Sequence, residues 1–335
     1  MFKKDYLRIF ANRSGTYMGK RICQALANRK KSVNFEIPHV EEFAVGEFKV
    51  VLKNSVRSSD IFLIQSPIDK YSGRSIQDNI FETLITVNAM KGCGASKITL
   101  IIPCLPYTRQ DKRFGRETCT AMLIAEQFVH AGIDHLITVD LHADQIKEYF
   151  NILGAQADAL YASPILINYI SKNFKKQQLW ILSPDAGGLK RAMFYANKLG
   201  AKVAVAGKSR SYEKANVVED IYILGELEGG DIIIVDDMVD TGGTVCKVIE
   251  KLHKQGVNSV SICTAHPILS HPAIERLDKL YNEGKLSKLI TTDSIYYPSD
   301  FHKTHPWFIQ LPLAPLLAEV ILAIHKKESI SRFYL

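Results

Sequence analysis

The chain has 335 residues, with 42 Lys+Arg against 35 Asp+Glu and a net charge of +7 when histidine is neutral. Hydrophobic residues make up 47% and charged residues 23%, a mixture that excludes a disordered or fibrous chain and, with the charge modest and dispersed, gives no ground for nucleic-acid binding. At roughly 100–200 residues per domain, the length implies about two domains with cores large enough to fold without a disulfide or metal staple.

In chain order, short β-branched runs alternate with longer amphipathic ones. Residues 61–64 read as a strand. Residues 78–90 follow as a helix, with Ile80, Leu84 and Val87 at helical spacing and Asp78 placed to cap it. Residues 97–102 are a second strand, 117–129 a helix and 136–139 a third strand. The scheme repeats with strand 179–182, helix 188–199, strands 203–206 and 232–235, helix 243–254 and strand 260–263. Continuous apolar strands alternating with helices predict an α/β protein whose mainly parallel sheets are flanked by helices on both faces. Two such units in series are expected, joined near 150–159, where NILGAQADA has no clear period. This gives domains 1–155 and 156–312, with 313–335 as a C-terminal helix (314–325) and tail packing back on them.

Six cysteines (Cys23, Cys93, Cys104, Cys119, Cys246, Cys263) contain no C-x-x-C pair, so they read as small buried residues in a reducing compartment. The start, MFKKDYLRIF, lacks the apolar run of a signal peptide. The apolar stretch 311–324 is interrupted by Pro312, Pro315 and Glu319, so no membrane span is expected. A cytoplasmic protein is the expectation.

Ligands of open α/β sheets sit beyond the carboxyl ends of the strands. Here those ends carry PCLPYTRQDKR, DLHADQ, SPDAGG and DDMVDTGGT, polar and glycine-rich where plain turns would serve folding alone. The last is the most informative. Gly242 and Gly243 let backbone approach an anion, the N–H groups of the helix start point at it, and Thr241 and Thr244 add hydroxyl donors. Asp236 and Asp237 ahead of this cup suit ribose hydroxyls or a bridging divalent cation.

VDDMVDTGGT resembles the ribose-phosphate loop of the phosphoribosyltransferase fold. The segments LPYTRQDK (105–112), VDLHA (139–143) and SPDAGG (183–188) narrow the resemblance to the ribose-phosphate diphosphokinase (PRPP synthetase) family. It covers essentially the full chain, from Arg8-Ile9-Phe10 to Ser329-Ile330-Ser331. The resemblance implies two tandem phosphoribosyltransferase-like domains, ATP on the first and ribose 5-phosphate on the second. It also implies transfer of the diphosphoryl group of ATP to the 1-hydroxyl of ribose 5-phosphate, giving PRPP and AMP. Mg²⁺ would be required, held by His142 and Asp185. Asp240, Thr241, Gly242, Gly243 and Thr244 would hold the 5-phosphate, and Asp236 with Asp237 the ribose.

By the same resemblance Arg109 and Gln110 would contact ATP, with Arg109 also serving catalysis. Phe43, Val45, Gly46 and Glu47 would contact adenine, although Val45 stands where the family has Asp or Asn and offers only its backbone. Lys208 and Arg210, in the polar segment 208–216 after strand 203–206, would belong to a catalytic loop that closes over the phosphates, Arg210 also touching ribose 5-phosphate. Ser55, Arg57, Ser329 and Ser331 sit where phosphate-activated members bind a regulatory anion. The family implies homo-oligomers, dimers assembled into hexamers. A non-catalytic regulatory homologue and a phosphoribosyltransferase are the alternatives. The first would be expected to lose the catalytic basic residues or the cup; the second would leave RQDKR and SPDAGG unexplained.

Overall fold

In the computed structural model the described residues are 6–334 apart from 30, 32, 176–178, 211–217, 226, 228–229 and 258–259; the side chains of 208–210 and 218–220 also lie outside the description. Contacts divide the chain into two compact units. The first is Met1–Tyr161 with Ser294–Tyr296 and Leu313–Leu335; the second is Ala162–Asp293 with Tyr297–Pro312.

In the first unit, β1 (Tyr6–Ala11), β2 (Asn34–Glu36), β5 (Ser59–Ile64), β6 (Lys97–Ile102), β7 (His135–Val139) and β8 (Gln156–Leu160) form one sheet in the order β2-β1-β5-β6-β7-β8. Every neighbouring pair is parallel. All residues of β5 and β7 are buried, as strands covered on both faces must be. Helices α1 (Thr16–Ala27), α2 (Ile76–Gly92), α3 (Thr120–Ala131) and α4 (Ile146–Ile152) supply the covering layers. Val87 and Met90 of α2 and Phe128 of α3 pack with Leu63, Leu100 and Phe150 in the core. The stretch 150–159, aperiodic in the sequence, is the end of α4 followed by most of β8.

The cap of α2 differs from expectation. Ser75 is the N-cap, its hydroxyl accepting from the Asp78 N–H at 3.0 Å, while the Asp78 carboxylate accepts the Ser75 N–H at 2.9 Å. Asp78 is thus the far half of a capping box inside the helix, and α2 starts at Ile76. The hairpin β3 (His39–Glu42) and β4 (Phe48–Val51), absent from the sequence reading, forms a two-stranded sheet of its own.

In the second unit, β9 (Leu179–Ser183), β10 (Lys202–Arg210), β11 (Val218–Leu224), β12 (Asp231–Val239), β13 (Val260–Pro267), β14 (Leu286–Thr292) and β15 (Phe308–Leu311) follow the order β11-β10-β9-β12-β13-β14-β15. Only the pairing of β10 with edge strand β11 is antiparallel. Helices α5 (Ser163–Asn173), α6 (Leu189–Leu199), α7 (Gly243–Lys254), α8 (Ala273–Asn282) and the short α9 (Ser299–Thr304) complete it. Both β10 and β12 outrun the apolar runs that signalled them. Their polar ends stay in the ladder because the neighbouring strands continue beside them.

The last helix, α10 (Ala314–His325), belongs to the first unit, where Leu317, Ala318, Val320 and Ile321 are buried. His325 Nδ1 lies 2.7 Å from Asp60 Oδ2 at the start of β5. Phe333 is buried and the Tyr334 hydroxyl donates to Asp158. No helix among the described residues is long and apolar enough to cross a membrane. All six cysteines are free, but only Cys104, Cys246 and Cys263 are buried; Cys93, the exposed C-cap of α2, departs furthest from the expectation.

Candidate active site

At the carboxyl edge of the second sheet, the ladder of β12 with β9 ends at Ile234↔Leu182, while that with β13 continues to Val239↔Pro267. Asp236 and Asp237 therefore lie on a strand end held from one side. Alternation places them on opposite faces, with Asp237 buried and Asp236 half-buried. The Asp237 N–H donates to Asp236 Oδ1 at 2.9 Å. Burial, and then the neighbouring Asp237 carboxyl, push the Asp236 carboxyl up to about 8 against the pull of Arg191. Arg191 Nη1, from the first turn of α6, stands 3.5 Å from Asp236 Oδ1 and 3.7 Å from Asp237 Oδ1. At neutral pH the pair thus offers both a carboxyl donor and carboxylate acceptors, a set matched to a sugar diol.

Beyond β12 the chain turns through Asp240 and the exposed Thr241 to Gly242, whose φ of +71° makes it the left-handed N-cap of α7. A side chain at Gly242 would be strained by that φ. The turn leaves the N–H groups of Gly243 and Thr244 at the helix start, the arrangement that receives a phosphate. Arg276 of α8 braces the turn by donating from Nη1 to the Thr241 carbonyl at 2.8 Å.

After β9, the Ser183 hydroxyl donates to the Asp185 carbonyl at 2.6 Å, and Asp185 Oδ1 accepts the Gly188 N–H at 3.2 Å. Gly188 is needed there, since a Cβ would stand 2.7 Å from Ser183 Oγ. Lys208 and Arg210 are strand residues by backbone, opposite Ile221 and Val218 of β11. The segment expected to be loop from 208 is strand by backbone as far as Arg210, because β11 extends the ladder that far. The rest of that segment, 211–216, lies outside the described residues, as do both side chains.

In the first unit, Arg109 and Gln110 are exposed beyond β6. The turn carrying them is built tightly. Tyr107 has a φ of +63° and its hydroxyl accepts from Gln77 at 2.6 Å. The Gln110 N–H donates to the Tyr107 carbonyl, and Gln110 Oε1 accepts the Thr120 hydroxyl at 2.5 Å. Asp111 is buried and accepts from Gln145 Nε2 at 2.7 Å, so this acid of RQDKR anchors the turn. Beyond β7, Asp140 takes a φ of +41° with its N–H bonded to the Leu160 carbonyl, and His142 is exposed. Positive φ in two non-glycine residues at adjacent strand ends is the kind of local strain that functional loops hold.

Phe43, Val45, Gly46 and Glu47 form the hairpin tip between β3 and β4. The Phe43 N–H donates to the Glu47 carbonyl at 2.8 Å, Gly46 turns at φ +89°, and Val45 is 81% exposed.

His142 belongs to the first unit and Asp185 to the second, and no group of three or more His, Cys, Asp or Glu side chains among the described residues forms a metal cage. Sequence reasoning missed Arg191 and Arg276. Both lie in the first turn of an amphipathic helix, where a basic residue reads as a solvated face, and only the fold brings them to the strand ends.

A family model described as the N-terminal domain of ribose phosphate pyrophosphokinase matches residues 7–132, and one for the phosphoribosyl transferase domain matches residues 156–302. A ribose-phosphate pyrophosphokinase of Porphyromonas gingivalis is 36% identical over 335 residues, covering 100% of this chain and 99% of the relative. The chain belongs to the ribose-phosphate pyrophosphokinase family. A relative of the same name from Helicobacter hepaticus is 35% identical and covers 98% of each chain. The crystal structure of the phosphoribosylpyrophosphate synthetase of Mycobacterium smegmatis superposes with a TM-score of 0.84 at 32% identity, covering 96% of this chain and 100% of that one. The chain is a ribose-phosphate diphosphokinase that makes PRPP and AMP from ATP and ribose 5-phosphate, on an α/β fold whose sheets are mostly parallel.

Proposed function

We propose that this transfer is carried by the strand-end residues singled out above, with ATP held by the first unit and ribose 5-phosphate by the second. Attack of the ribose 1-hydroxyl oxygen on the β-phosphorus forms one P–O bond as the bond to the AMP oxygen breaks, and the hydroxyl proton is released to solvent. Negative charge builds on the non-bridging oxygens and on AMP, so the residues act by positioning and charge neutralisation. Asp240, Thr241, Gly242, Gly243 and Thr244 grip the 5-phosphate through N–H and hydroxyl donors. Asp236 and Asp237 hold the ribose hydroxyls. Arg109 and Gln110 orient the ATP phosphates, and Phe43, Val45, Gly46 and Glu47 meet adenine, Val45 through its backbone. Lys208 and Arg210 neutralise the transferring group, Arg210 also contacting the sugar phosphate.

Mg²⁺ bound to ATP would neutralise phosphate charge. Asp185 and His142 suit it, because Mg²⁺ takes one or two protein ligands beside substrate phosphates and needs no all-protein cage. A homo-oligomer, of dimers assembled into hexamers as the family resemblance implies, would let a second copy complete the adenine contact at the exposed hairpin tip. Six free cysteines support a cytoplasmic setting.

The observation that carries this reading is the acid pair of β12 running directly into the left-handed Gly242 cup. The test is an initial-rate assay of wild type and Thr244→Ala with ATP, Mg²⁺ and ribose 5-phosphate. Wild type should release AMP and PRPP in equal amounts only with Mg²⁺ present, and Thr244→Ala should raise KM for ribose 5-phosphate. Turnover undiminished by chelation, or an unchanged KM, would remove the corresponding assignment.

A further inference from the structure

We infer that Arg13, Glu42, Arg74 and Glu82 form a clamp that fixes the hairpin tip 43–47 for nucleotide binding, making them positioning residues for ATP. The inference rests on the reading of that tip as the adenine contact and adds what orients it.

The two residues flanking the tip are Glu42, the last of β3, and Phe48, the first of β4. The same two guanidinium groups grip both. Arg13 Nη1 meets Glu42 Oε1 at 2.5 Å, and Arg74 Nη1 reaches the same oxygen at 3.2 Å. The Phe48 ring lies 5.7 Å from the Arg13 guanidinium and 5.5 Å from that of Arg74, with Phe81 against it edge-on at 6.0 Å.

The arginines are fixed in turn from the core. Glu82 of α2 is 1% exposed. Its carboxylate accepts the Arg13 N–H at 3.0 Å and Nε at 2.8 Å, and lies 3.1 Å from Arg74 Nη2. A charge buried so deeply requires its cations, and this holds both guanidiniums in place. Arg74 Nε donates further to Asn79 Oδ1 at 3.3 Å. Arg13 sits in the turn directly beyond β1, and Arg74 immediately precedes the cap of α2. The tip is therefore referenced to the carboxyl edge of the first sheet.

This reference is needed because, among the described residues, the hairpin shares no ladder with that sheet, so no strand pairing there sets its angle. A tip free to swing would lose freedom on binding nucleotide; a clamped one has already lost it. Glu42 is itself largely exposed and contributes little to global stability, so its role should appear in binding.

The test compares full-length wild type, Glu42→Gln, Phe48→Leu, their double variant and the tip variant Phe43→Ala in initial-rate kinetics, with thermal melts alongside. Glu42→Gln should raise KM for ATP about two- to fivefold, with kcat at saturating ATP, KM for ribose 5-phosphate and the melting temperature essentially unchanged. Phe48→Leu should act in the same direction, and the double variant should fall short of the product of the singles, since both loosen one hinge. If Phe43→Ala raises KM for ATP while Glu42→Gln and Phe48→Leu do not, the clamp is overturned and the tip reading stands. If none of the three moves it, the tip reading fails and takes the clamp with it. A Phe48→Leu protein that folds poorly leaves the decision to Glu42→Gln.

Discussion

Arg276 reaches from the first turn of α8 to the Thr241 carbonyl, 2.8 Å from its Nη1, and so ties one helix to the turn that opens another. The same nitrogen lies 3.4 Å from where a Cβ on Gly243 would stand, so the guanidinium flanks the cup itself. It supplies shape, by holding the turn, and positive charge beside a site proposed for a dianion.

Removing that brace should weaken ground-state and transition-state binding of ribose 5-phosphate alike. Arg276→Ala is expected to raise KM for ribose 5-phosphate about tenfold, on the scale of a hydrogen bond from a charged group, with KM for ATP and kcat little changed. Arg276→Lys keeps the charge and loses the fork, so it should recover only part of the affinity. Steady-state kinetics with each substrate varied in turn distinguishes these outcomes. An unchanged KM in Arg276→Ala would reduce the contact to a surface bond.

The acid pair makes a prediction about pH. The Asp236 carboxyl is raised, by burial and then by Asp237, so between its unfolded value near 4 and its folded value of about 8 the native state holds a proton that the unfolded chain has released. Stability from this group is full at acid pH and is lost as pH rises through that window. Asp236→Asn mimics the protonated form and removes the dependence. Relative to wild type, its melting temperature should therefore rise between pH 5 and pH 8.5, by about 2–4 °C for each kcal/mol relieved. Melts of the ligand-free protein at both pH values check this; a constant offset would mean that Asp236 titrates normally.

Much of the fold was legible because a parallel strand buried on both faces has few alternatives to an apolar run. Residues 97–102, 243–254 and 314–325 have the bounds of β6, α7 and α10. Legibility failed where hydrogen bonding overrode hydrophobicity. The polar ends of β12 and β10 remain strand because of partners distant in sequence, which no local pattern encodes. The hairpin 39–51 is mostly exposed and has no apolar signal. At the site, glycines and acids next to strand ends could be read directly, whereas Arg191, Arg276 and the Arg13–Glu42–Arg74–Glu82 cluster depend on helices returning to those ends. The motif RQDKR shows the converse. Its Asp111 looks chemical in sequence and is an anchor in the fold.

Lys208 lies on β10 directly opposite Ile221, two residues from the end of the strand. A cation carried on a hydrogen-bonded strand is better placed to act on a transient charge than one on a free loop. Lys208→Ala is expected to lower kcat by about 10³–10⁵, the range known for a phosphoryl-transfer arginine finger, with KM for both substrates within a few-fold of wild type. Single-turnover AMP formation measures it. A change confined to KM would make Lys208 a binding residue instead.

The C-terminal residues offer a test separate from catalysis. The Tyr334 hydroxyl donates to one oxygen of Asp158, while His135 Nε2 lies 2.7 Å and Gln156 Nε2 3.0 Å from the other. Burial raises the Asp158 carboxyl, but the bonds from His135, Tyr334 and Gln156 outweigh it and hold the group below its ordinary range. Burial and the adjacent carboxylate push the Tyr334 phenol well above its own. A depressed carboxyl contributes stability that is complete above its unfolded value and is lost as pH falls through the folded one. Tyr334→Phe removes one of those bonds and leaves the ring packed against Tyr161. It should therefore cost about 1 kcal/mol at neutral pH, a penalty that shrinks only as the medium is taken well below the ordinary carboxylate range, where the wild-type Asp158 is itself protonated. Denaturant melts at pH 7 and about pH 2 measure it, since the loss is complete only below the depressed folded value, with Phe333 and the rest of the tail unaltered. A penalty independent of pH would assign Tyr334 to packing alone, and no penalty at either pH would mean that the bond to Asp158 does not hold the tail.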